Sequence, residues 1–93
     1  MTLVDAYDVL RVNAGDNDDL ISSLLSAIPD YIEVTTGLLT IHQDREPLVE
    51  TVSGFLLRLW YFGDHADDQA LKRTIDCLLK AIAIKARDYN DPE

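Results

Sequence analysis

The chain has 93 residues, 47% of them hydrophobic, with a formal net charge of −9 and a sequence pI near 4.4. That length fits one domain, and that apolar content exceeds what a disordered tail carries. The acid excess argues against wrapping nucleic acid by phosphate neutralisation, and it disfavours anionic membranes.

Helix signals dominate from the first residues. Leu3, Tyr7 and Leu10 recur at helical spacing, so residues 2 to 10 read as a short helix. Thr2 and Asp5, three apart, resemble a capping box. Residues 12 to 17, VNAGDN, are turn chemistry. A second helix is predicted from Asp18 to Thr36. Its stripe is Leu20, Leu24, Ile28, Tyr31 and Thr35, widened by Ile21, Leu25 and Ile32. Asp16 is the expected cap, and Asp18 and Asp19 place carboxylates at the positive end of the helix dipole. Gly37 suits the left-handed stop. Pro29 removes one backbone hydrogen bond, which predicts a kink or two helices meeting end to end.

Residues 38 to 45 are expected to connect. A third helix should start near Pro47, capped by Glu46 or Asp44, striped by Leu48, Val52, Phe55, Leu59 and Phe62, and ended by Gly63. A fourth follows residues 63 to 68, with Asp64 or Asp67 as cap and a stripe of Leu71, Ile75, Leu78, Ile82 and Ala86. Residues 88 to 93 read as a frayed tail. The expected fold is all-α: one domain over 1–93, a small bundle of four helices, or five if the second splits at Pro29.

Two segments are apolar nearly all round: seven of eight residues in 55–62 and eight of ten in 77–86. Four helices in so short a chain leave little interior for both, and a surplus of that kind marks a partner surface. The candidate subunit interface is Phe55, Trp60, Tyr61, Cys77, Ala81 and Ile84, with Lys72, Arg73 and Lys80 beside it. Charge is segregated as well. Residues 1–44 carry a net −7 and residues 72–87 a net +4. Repeated head to tail between copies, that polarity favours a ring or filament.

Residues with catalytic or ligating potential lack the spacing that chemistry needs. His42 and His65 have no ligand partner at metal-binding spacing and are expected in surface loops. The run DNDD, tried as a calcium loop from Asp16, puts Ile21 where glycine belongs and Ala27 where glutamate belongs. Ser22, Ser23 and Ser26 lie on a helix without a base. Cys77, the single cysteine, forms no intramolecular disulfide; with Lys80 one turn away it reads as a small buried residue. We assign no catalytic residue, cofactor or metal. No basic-then-apolar leader opens the chain, and no run is long enough to span a bilayer, so a cytoplasmic, membrane-free protein is expected.

The order of parts resembles one known family. LVDAYDVLRV, then an Asp-rich turn, then DDLISSLLSAIPDYIEVTTG is similar to the small all-α head-tail connector proteins of long-tailed bacteriophages and prophages. The positions that carry the likeness are Leu10, Arg11, Val12, Asp16, Asp18, Asp19, Leu20, Ile21, Tyr31, Ile32, Glu33, Thr36 and Gly37. A later helix from Pro47 to Trp60 and Tyr61, and a last one with paired leucines in IDCLLKAI, are also similar. Pro29 inside the long helix departs from the family pattern. The resemblance implies a structural virion protein in the neck. It would form a homo-oligomeric ring that joins the portal to a further neck or tail protein. DNA would pass through the ring without tight binding, with Asp16, Asp18 and Asp19 as possible lumen residues. The alternative reading is a small acidic adaptor, or a DNA-mimic inhibitor of a basic partner.

Overall fold

A computed structural model describes residues 2–15, 17–62 and 69–90. The expectations for Asp16, the Gly63 stop, an Asp64 or Asp67 cap, His65 and residues 91–93 lie outside the described residues.

The first helix, α1 (Leu3–Leu10), starts as its sequence requires. Thr2 Oγ1 accepts from the Asp5 amide and the Asp5 carboxylate accepts from the Thr2 amide, each at 3.2 Å. These bonds from Thr2 hold the Asp5 carboxyl below its ordinary value. Arg11 ends the helix in the left-handed region at φ 57°. Ala6 and Leu10 turn inward, where both are buried.

Helix α2 (Asp18–Thr36) has the expected bounds, but Asn17 precedes it with φ 59° and no side-chain cap. Asp18 does the anchoring instead. Its Oδ1 accepts from the Gly15 amide at 3.2 Å and from the Tyr7 hydroxyl at 2.8 Å, tying α1, the turn and α2 together. That bond to Asp18 is the main reason the Tyr7 hydroxyl titrates above its ordinary value. Gly37 stops α2 at φ 83°, its amide donating to the Glu33 carbonyl at 2.8 Å.

Pro29 does not divide α2, which runs as one helix across it. A fifth helix exists for a different reason. Residues expected to connect include α3 (Thr40–Gln43), one helical turn. Its start is capped from α2: Glu33 Oε1 accepts from the Thr40 amide at 2.8 Å and from the Thr40 hydroxyl at 3.0 Å. Gln43 closes the turn from inside. It is buried, and its Nε2 donates to the Pro29 carbonyl at 3.0 Å and the Leu38 carbonyl at 3.2 Å. Local periodicity carries no signal for a helix whose cap comes from seven residues upstream.

Helix α4 (Pro47–Phe62) starts on its proline, with Glu46 Oε2 accepting from the Leu48 amide at 3.0 Å. Helix α5 (Gln69–Asn90) carries three residues of the 88–93 segment read as a tail, so the helix runs further than expected. Ile75, Ile82 and Ala86 of its predicted stripe are buried, and Leu71 and Leu78 are half-buried.

The helices α2, α4 and α5 form the bundle, each packed on the other two, and α1 lies across α2 and α4. The core joins Ile21, Ile28 and Ile32 of α2 to Val52, Leu56 and Leu57 of α4 and Ile75 and Ile82 of α5. Leu38, in the turn after α2, is also fully buried. Each large side chain withdrawn from water contributes about 1.5–3 kcal/mol before conformational entropy opposes it.

Candidate functional site

The apolar surplus of residues 55–62 has an internal explanation. Helix α4 meets α1, α2 and α5 at once, so it is covered on three sides. Leu56 and Leu57 are buried, and Phe55, Leu59, Trp60 and Tyr61 are half-buried against the core. The Trp60 ring meets the Tyr31 ring edge-on, centroids 5.2 Å apart at 88°. Tyr61 accepts from Asn17 Nδ2 at 2.8 Å and stands edge-on to Phe62 at 5.2 Å. These aromatics therefore hold α4 to α2 and to the α1–α2 turn.

Phe62 alone of these apolar residues is exposed, and further exposed apolar area is found elsewhere. On α5, Ala70, Cys77 and Ile84 line the face away from the core and are exposed, and Ala81 beside them is half-buried; Ile84 is 68% exposed. The expectation that Cys77 is buried is thus overturned. It lies near the pole of α5 opposite Ile75 and Ile82, because 100° per residue places it there. Arg73, Lys80 and Arg87 are exposed beside that line and Lys72 is exposed on another side of α5, and none has an ion-pair partner among the described residues.

A second exposed apolar line lies on α2, and of its residues only Leu20 belonged to the predicted stripe. On α2 the buried residues are Ile21, Ile28 and Ile32 of the predicted stripe, together with Thr36. Leu20, Tyr31 and Thr35 are exposed and Leu24 is half-buried. Leu20, Ala27 and Val34, seven apart, form one exposed line along α2, and Val34 is 84% exposed. Ile41 on α3, which packs on α2, is exposed too. A helix seen alone shows two apolar stripes, and only its neighbours decide which is covered. A seven-residue repeat beside a filled core stripe is the signal that sequence reasoning passed over.

The charges around the two lines differ in sign. Helix α2 contains no basic residue, and Asp19 and Asp30, both exposed, flank its outer line. Asp18 is engaged with Tyr7 and Gly15, and Glu33 with Thr40, so neither is a free surface charge. Lys85 of α5 is likewise taken internally by Glu46 at 3.2 Å.

Around Glu46 the side chains form a structural cluster. The Tyr89 hydroxyl lies 3.3 Å from the Arg45 carbonyl oxygen and 3.4 Å from Glu46 Oε1. The His42 ring stacks on Tyr89 with centroids 6.0 Å apart. His42 is therefore part of α3 and half-covered, not a loop residue at the surface, and its Nδ1 is buried without a hydrogen-bond partner among the described residues. Among the described residues no group of three or more His, Cys, Asp or Glu is placed to hold a metal ion. No described helix is long and apolar enough to cross a membrane.

Comparisons with protein-family models, with curated proteins and with solved structures give no match to this chain.

Proposed function

We propose that this chain is a structural assembly protein that works as a homo-oligomer, a connector ring between a phage portal and the tail. The observation that carries the reading is the pair of apolar lines, Leu20–Ala27–Val34 on α2 and Cys77–Ile84 on α5, left outside a bundle whose core is already filled. Exposed apolar lines on a small helical protein are partner surfaces. The order of helices and turns that resembles the head-tail connectors supplies the kind of assembly. In that role the chain sits in the virion neck after assembly and in the host cytoplasm before it. An acidic chain also suits a passage for DNA, because repelled phosphates do not stall there.

The test is to add the purified chain to portal rings of a long-tailed phage and examine the mixture by negative-stain microscopy. An added annular layer beneath the portal, with many copies per ring, is the expected result. A portal that recruits nothing, together with a tight one-to-one complex between the chain and a basic protein, would favour the acidic adaptor instead.

A further inference from the structure

We infer that the surface joining one copy of this chain to the next is made of two unlike faces: the outer line of α2 on one copy, seated on the outer line of α5 on the next. This deepens the connector reading and rests on it for the occupant, a second copy of the same chain.

The α2 face presents Leu20, Ala27 and Val34 with the carboxylates of Asp19 and Asp30 along one flank. At 100° per residue, those aspartates lie about 60–80° from the apolar line. The α5 face presents Cys77 and Ile84, with Arg73, Lys80 and Arg87 along one flank at seven-residue intervals. Its own carboxylates do not break that flank. Asp76 lies beyond the bases, away from the apolar line, and Asp88 closes the line at its C-terminal end. Arg73, Lys80 and Arg87 have no ion-pair partner among the described residues, and neither do Asp19 and Asp30.

Charge selects between the three ways these faces can meet. Packed antiparallel, two α2 faces would set Asp19 and Asp30 against their own copies, and two α5 faces would do the same with Arg73, Lys80 and Arg87. Like charges held together across an interface oppose association. Of these antiparallel pairings only α2 against α5 joins opposite flanks while covering both apolar lines. Such a contact is heterologous: each copy uses a different face toward each neighbour, so association propagates beyond a dimer, into a ring where the rotation closes and a filament where it does not.

A single native thiol makes this testable. Cys77 is near the middle of α5 and is exposed, and Ala27 is near the middle of α2 and is also exposed. Central positions approach each other whichever way the two helices run. The Ala27→Cys chain, concentrated and treated with a bis-maleimide, should give a ladder on a denaturing gel, from dimer to trimer and beyond. Wild type and the Ala27→Cys/Cys77→Ser chain, each with one thiol, should stay monomeric on the same gel. Val34→Cys, on the same line of α2, serves as a second site should the first variant lose its helical circular dichroism.

A dimer from either one-thiol chain shows a two-fold contact and overturns the inference. Absence of a ladder from both two-thiol chains overturns it as well. If wild type nevertheless sediments as an oligomer, the connector reading survives that failure. Portal rings that recruit no chain would sink the connector reading while leaving a ladder intact.

Discussion

The Glu46 carboxylate, buried in the turn that opens α4, faces the Lys85 ammonium of α5 at 3.2 Å across 39 positions of sequence. One end of this pair is sealed and the other is half-exposed. Its worth is therefore greater than a surface ion pair's 0.2–1 kcal/mol and smaller than the 3–5 kcal/mol lost on breaking a fully buried one. Lys85→Ala should cost about 1–2 kcal/mol at neutral pH, read as a fall in the urea midpoint.

The same pair sets an acid dependence. Burial pushes the Glu46 carboxyl up, but the Leu48 amide, Lys85 and Tyr89 together hold it below the ordinary 4.5. A depressed carboxyl stabilises the fold above its unfolded value, and the contribution fades as pH falls through the folded one. The gap between wild type and Lys85→Ala should be full at pH 7 and close as pH falls through the depressed Glu46 value, below 4.5. A gap that persists at pH 3 would assign the loss to the packing of the lysine stem.

Asp18 and Asp19 are neighbours with unequal work. Asp18 binds Tyr7 and Gly15, whereas Asp19 is exposed at the outer flank. Asp18→Ala should lower stability by about 1–2 kcal/mol, since two hydrogen-bond donors lose their acceptor. Asp19→Ala should cost no more than about 0.5 kcal/mol, the share of a first-turn charge with the dipole. Thermal unfolding of both variants in the same buffer decides the order.

At Gly37 a Cβ would meet no atom within 4 Å, so its role is conformational and not one of packing. With φ at 83°, Gly37→Ala should cost about 1 kcal/mol, and Gly37→Asn less, because asparagine tolerates the left-handed region. Equal losses for the two variants would mean that something other than φ is being disturbed.

Ile82 and Ile84 separate core from surface on one helix: the first is fully buried and the second is 68% exposed. Ile84→Asp should leave helical circular dichroism and stability within about 0.5 kcal/mol of wild type while abolishing self-association in sedimentation. Ile82→Asp should unfold the chain, since an unpaired carboxylate would lie in the core. Loss of fold in Ile84→Asp would transfer that residue to the interior.

Much of this architecture was legible in short-range pattern. The Thr2–Asp5 box, the bounds of α2, the Gly37 stop, the Pro47 start and the inward residues of α5 depend on groups within a few positions of each other, and one sequence window contains them all. Helix α3 was not legible, because Glu33 caps it from α2 and its own Gln43 is anchored to the distant Pro29 carbonyl. Nor was the orientation of α4, and of the broad stripe predicted on α2 only Ile21, Ile28 and Ile32 went fully inside. A helix with two apolar stripes does not say which one is covered, and a helix apolar all round does not say whether it is central or sticky. Those answers depend on which helices lie alongside. Tertiary packing placed α4 in the middle, turned Ile21, Ile28 and Ile32 inward, and left Leu20, Val34 and Ile84 facing outward, where burial within one chain can no longer reach them.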